Sequence, residues 1–299
     1  MGRAGEGRAR RGCTLSGSDR NTDDDFALSK VLSRRGFPFQ YAVLTRCMQS
    51  RGGWRHVVSE YPVSLRGVTT HVDFVLESHE GTYIVAECKR VYGWRWGFAR
   101  GLERSRSNWG RNARGDLLLR RQQDRQVFRH VVAFPTPRPF DVAVEMKNHE
   151  KKPEVDAPPR QLDGAVTQAL RAAGGFMHDL ASRPQFEAAA VLPVIFTSAP
   201  LVTTNTELGP ATNLQSGNLE KVTAESPTWL WYDHNVSEPL RPQVPLVEVE
   251  QSAFRDPTAV IQASLDRDAT RSIAIVSVDG IEEFLQVVPQ LLHRPHKIQ

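Results

Sequence analysis

Three successive stretches, Trp54–Val63, Thr69–Leu76 and Tyr83–Val91, are rich in Val, Ile, Tyr and Phe and alternate apolar with polar residues in places. Gly67 punctuates the first junction and Ser78-His79-Glu80-Gly81 the second. Short runs of β-branched and aromatic residues bounded by turn formers read as strands, and junctions this short fit a hairpin rather than a crossover. A three-strand meander is therefore expected. Just before it, Phe37-Pro38 opens a helix running to about Ser50, with Pro in its first turn and Phe39, Val43 and Cys47 on one side. Further upstream, Asp23, Asp24 and Asp25 precede Phe26, Leu28, Val31 and Leu32, which reads as a short helix with an acidic N-terminus stopped at Gly36. A helix followed by a meander is the opening of an α/β or α+β core.

The remainder keeps that theme. The pattern dissolves from Arg90 to Arg138 into an Arg- and Trp-rich insertion, and Pro139–Lys147 then reads as a strand. Asn148–Pro159 is a polar linker. Pro159 to about Ala181 forms a helix with Leu162, Ala165, Val166, Ala169 and Leu170 on its apolar face. Strands follow at Val191–Thr197, Leu201–Thr204 and Thr228–Tyr232, and a strand–helix pair at Ser272–Val278 and Ile281–Leu292.

Composition excludes several classes. With 40% hydrophobic and 24% charged residues, the chain reads as soluble and globular. Its longest apolar stretch, Ala188–Phe196, falls well short of the about 20 residues that span a bilayer, so no membrane partner is expected. Cys13, Cys47 and Cys88 are scattered, which rules out a disulfide framework or a four-ligand zinc site and fits a cytoplasmic location. Met1–Arg11 lacks the apolar run of a signal peptide and reads as a basic tail.

Chemistry concentrates in the second and third strands. A hairpin centred on Glu80 places residue i opposite residue 160 − i, so Asp73 faces Glu87 and His71 faces Lys89. Alternation puts Val72, Phe74 and Leu76 on one face, with Asp73 and Val75 on the other; Val85, Glu87 and Lys89 likewise share a face. Two carboxylates that close repel unless a cation intervenes. Oxygen donors without His or Cys favour Mg²⁺ or Mn²⁺ over zinc. An adjacent Lys can orient water or offset charge on a phosphoryl group, the machinery of phosphodiester hydrolysis.

This arrangement resembles the PD-(D/E)XK nuclease superfamily, with Asp73 matching the first acid and Glu87-Cys88-Lys89 the ExK element. The resemblance covers roughly residues 26–92 and 140–197. It implies an α/β fold, a central mixed sheet flanked by helices in a restriction-endonuclease-like core, with an Arg-rich insertion and a C-terminal α/β extension. On that reading residues 1–22 are a flexible basic tail, 23–200 the nuclease-like core with its insertion at 91–138, and 201–299 an extension packed on the core. The resemblance further implies catalytic Asp73, Glu87, Lys89 and Gln168, and a Mg (or Mn) ion held by Asp73, Glu87 and the Cys88 backbone carbonyl. DNA is the implied substrate, in restriction or phage defence; a homodimer is left open. Two departures stand out. Val72 replaces a Pro before the Asp, and Gln40 occupies the first helix where relatives often carry Glu. The latter also admits a nucleic-acid-binding protein with a degenerate site; a third reading is an interaction subunit of a larger complex, with the C-terminal hundred residues as its surface.

A rival ExK ends Asp141-Val142-Ala143-Val144-Glu145-Met146-Lys147. Asp141 and Glu145 lie four residues apart on one strand, about 13 Å, too far to share an ion. Eleven Arg and no Lys fall between Arg90 and Arg129, interleaved with Trp94, Trp96 and Trp109. Arg90, Arg95, Trp96, Arg100 and Arg104 are the candidate nucleic-acid contacts, since guanidinium groups fork onto phosphates and rings stack on bases. The competing reading is an Arg-rich surface helix over Gly110–His130. Asp233-His234-Asn235 reads as a polar loop without triad geometry. The sequence has no phosphate-binding GxxxxGK[ST] loop.

Overall fold

The computed structural model describes residues 28–32, 36–101, 112–147, 161–219, 222–247 and 269–292. The chain divides into residues 1–38 and 39–299. In the first unit residues 28–32 are helical; the basic tail, the Asp23–Asp25 run and the 148–159 linker lie outside the described residues.

Helix α1 (Phe37–Gln49) buries Gln40, Val43, Leu44 and Cys47, one stripe at the i, i+3, i+4, i+7 spacing of a helical face. The meander follows as β1 (Arg55–Leu65), β2 (Val68–Glu77) and β3 (Thr82–Lys89). Arg66 and Gly67 join β1 to β2 with φ of 50° and 78°, the pair of left-handed residues that a two-residue hairpin turn demands. Between β2 and β3 the Ser78 hydroxyl accepts the Glu80 and Thr82 N–H groups, at 3.3 and 3.2 Å.

Helix α2 (Gln161–Ala181) leads into β8 (Ala188–Thr197), which runs parallel to β3 along its whole length, from Thr82↔Ala190 to Lys89↔Thr197. The other edge of β8 is divided. Its first half pairs antiparallel with β5 (Arg114–Arg120) and its second half parallel with β12 (Thr270–Ser277). β6 (Val127–Ala133) extends the sheet beyond β5, and β11 (Trp229–Asn235) beyond β12. A second sheet has the order β10 (Ala224–Glu225), β9 (Leu201–Glu207), β4 (Trp94–Arg100), β7 (Val142–Lys147).

The large sheet is covered on both faces. Phe74, Leu76, Ile84, Phe196 and Val276 pack against Val43, Leu44 and Cys47 of α1 and against Phe284 and Leu285 of α3 (Ile281–Leu292). On the opposite face Val75, Val85 and Val191 meet Ala173, Phe176 and Met177 of α2, whose first half packs with Trp96 and Phe98 of the small sheet. Burying each of the Val, Leu, Ile, Phe and Met side chains among these contributes about 1.5–3 kcal/mol. The result is an α/β fold with mixed sheets. Among the described residues no helix is long and apolar enough to cross a membrane.

Four expectations change. The 91–138 insertion is neither patternless nor a surface helix at Gly110–His130; it supplies β4, β5 and β6. The segment expected as a C-terminal extension supplies β11 and β12, strands of the same central sheet. Asp233, His234 and Asn235 lie in β11 rather than in a loop. Val72 packs with Val75 and Val85, whereas Phe74 and Leu76 pack on the opposite face, so alternation breaks at Asp73.

Arginines explain the first correction. At the divide between β5 and β12, Asp116 accepts from Arg129 Nη1 at 3.0 Å and from Arg271 Nε at 3.1 Å, all three buried. Arg114 Nη2 lies 3.7 Å from Asp233 Oδ2, and the Ser272 hydroxyl bridges the Asp233 carboxylate and the Arg114 N–H. Charges that read as surface in sequence are neutralised inside by partners up to 155 positions away.

Candidate functional site

The β2–β3 ladder follows the inferred register, with Glu77↔Tyr83, Leu76↔Ile84, Val75↔Val85 and Phe74↔Ala86 each summing to 160. It ends there, one step short of Asp73 and Glu87. The next donor on β3, the Cys88 N–H, goes to the Asp73 carboxylate, at 2.6 Å from Oδ2. A side chain thus takes the place of a backbone partner, and the Asp73 carboxylate is fixed against the Glu87-Cys88-Lys89 segment. The Asp73 carbonyl in turn accepts the Gln40 amide of α1 at 2.7 Å. Gln40 is buried and clamps β2, a role that needs a donor and that a carboxylate could not fill.

Glu87 is 3% exposed. Its Oε1 lies 4.0 Å from Lys89 Nζ, and its Oε2 is buried with no hydrogen-bond partner. Burial raises the Asp73 carboxyl to about 6; the Glu60 charge adds to that rise, while the Cys88 N–H and Lys89 oppose it. Glu87 is driven up first by burial and then by the Asp73 charge, with Lys89 opposing. Lys89 keeps a third of its side chain in solvent, at 32% exposure.

Among the described residues no group of three or more His, Cys, Asp or Glu side chains could hold an ion. The donor set is a pair. Mg²⁺ is commonly held by one or two carboxylates and keeps its waters, so Asp73 and Glu87, with the orphaned Oε2, fit such an ion and not zinc. The Cys88 thiol is displaced far upward by burial and offers no thiolate.

The other expected residues fare unequally. Gln168 is half-buried on α2, which packs over β1, β2 and β3, but among the described residues it makes no hydrogen bond to Asp73, Glu87 or Lys89. Trp96 is wholly buried and presents no ring to a base. Arg100 is structural: it donates to the Arg138 carbonyl at 3.0 and 3.2 Å and to Asn205 Oδ1 at 2.6 Å, and lies over the Phe140 ring. Arg90, immediately after Lys89, lies over the Tyr92 ring, and Arg95 is half-buried on β4. Arg104 lies outside the described residues. The rival Glu145 sits on edge strand β7 and accepts the Leu162 N–H at the start of α2, capping that helix.

One residue escaped the sequence reading. Glu60 on β1 has φ of 51°, in the left-handed region that side-chain-bearing residues avoid, and is exposed. Its only sequence signal is an acid in the middle of a strand-like run.

No family model, no curated protein and no solved structure matches the chain.

Proposed function

We propose that this protein is a metal-dependent phosphodiester hydrolase, a DNA nuclease with a PD-(D/E)XK-type core. The element order supports it: a helix, a meander, then a helix leading to a strand parallel to the third, with one acid on the second strand and ExK on the third. The observation that carries it is the buried, partnerless Oε2 of Glu87 beside Asp73, an arrangement that a cation resolves.

Asp73 and Glu87 would hold the ion through deprotonated carboxylates, with the Cys88 carbonyl as a third oxygen. A bound Mg²⁺ or Mn²⁺ supplies Lewis acidity toward a phosphoryl oxygen and acidifies water. Lys89, partly exposed next to Glu87, orients the attacking water and offsets negative charge on the phosphoryl group. Gln168 steadies substrate from α2, and Arg90 and Arg95 hold backbone phosphates. A cytoplasmic role in restriction or phage defence, acting alone or as a homodimer, fits this chemistry.

Plasmid DNA incubated with Mg²⁺ or Mn²⁺ tests the reading. Cleavage should be abolished by EDTA and by Lys89→Ala. Binding without cleavage would identify a degenerate site, and the absence of both would identify an interaction subunit.

A further inference from the structure

Asp73, Glu87 and the Cys88 carbonyl leave half the positions around a hexacoordinate ion to water. The structure supplies an acid to meet that water. β1 pairs with β2 at Ser59↔Phe74 and Tyr61↔Val72, so Glu60 stands across from Asp73 in the one step that the ladder omits. Its left-handed backbone coincides with that omission. Glu60 is exposed, whereas Glu87 is buried, so the two acids flank Asp73 from the solvent side and from the interior. The Glu60 charge is felt at both Asp73 and Glu87. A cluster of acids alone names no ligand; here the nine-tenths-buried Glu87 with its orphaned Oε2 points independently to a cation.

The three carboxylates do not converge tightly enough to share one ion directly. That restricts the role of Glu60 to a contact through water. We propose that Glu60 is the outer carboxylate of a divalent-cation site whose inner oxygens come from Asp73, Glu87 and the Cys88 carbonyl, accepting hydrogen bonds from water bound to the ion. The inference rests on the cation-site reading above and assigns it a positioning residue on β1. Gln40, the neutral group on α1, is occupied with the Asp73 backbone and leaves this place to β1.

Mn²⁺ binding, followed by the loss of the free-ion paramagnetic resonance signal, tests the proposal without reference to activity. Wild type, Glu60→Gln, Glu60→Asp and Glu87→Gln are titrated, each first shown to unfold cooperatively on heating in EDTA. Outer carboxylates are typically worth 10–100-fold in metal affinity, so Glu60→Gln should weaken Mn²⁺ binding about tenfold. Glu60→Asp, which keeps the charge, should recover most of it, and Glu87→Gln should bind least. Glu60→Gln binding within about twofold of wild type while Glu87→Gln fails overturns the role of Glu60 alone. Wild type that binds no Mn²⁺ overturns the cation site itself, and this inference with it.

Discussion

Asp73→Asn should make the metal-free protein more stable, and the gain should depend on pH. Asn keeps an oxygen for the Cys88 N–H and removes the charge. Burial raises the folded Asp73 carboxyl from 3.8 to about 6. Between those values the folded state holds a proton that the unfolded state has released, so stability falls as pH rises and the loss is complete above pH 6. About two pK units correspond to about 3 kcal/mol at pH 8, shrinking below about 1 kcal/mol by pH 4. For a unit of this size the gain raises the unfolding midpoint by on the order of 6 °C. Urea unfolding in EDTA at pH 4, 6 and 8 reads it directly. With Mg²⁺ added, wild type should gain stability and Asp73→Asn should not. A variant no more stable than wild type at pH 8, or a gain that persists undiminished at pH 4, would refute the claim that Asp73 is held against its charge.

Two further outcomes follow from the fold. Asp116→Ala leaves Arg129 and Arg271 buried without their shared carboxylate and should cost about 3–5 kcal/mol, read by thermal unfolding. Glu145→Gln keeps an oxygen for the Leu162 N–H and removes a charge that burial disfavours, so it should not lower stability at pH 8 and should leave plasmid cleavage within twofold; a loss of cleavage would return the rival ExK to contention.

The meander was legible because its signals are local. Gly67 and Ser78–Gly81 fix the turns, and the second turn fixes the register from Glu77↔Tyr83 to Phe74↔Ala86 that carries Asp73 to the Cys88 N–H. β5 was not, because Arg114, Asp116 and Arg120 in its seven residues look like surface until Arg129 and Arg271 arrive from distant strands. Trp96 failed as a contact for a related reason: its burial depends on α2 and β8, which no local pattern around β4 announces. Glu60 and Gln40 were obscure in another way. One depends on an irregular pairing of β1, and the other on a carbonyl that the ladder leaves for an amide to take.

The divided edge of β8 sets an order of assembly. β5 can dock on Ala188–Val191 once β8 exists, but the neighbouring slot at Val194–Thr197 waits for β12, made some 75 positions later. Until then a strip of the innermost strand has its amides open to any passing chain, β11 has no neighbour to join, and Asp116 lacks one of its two guanidinium partners. During synthesis on the ribosome that interval leaves an unpaired strand edge open to mispairing, where chaperone capture would act.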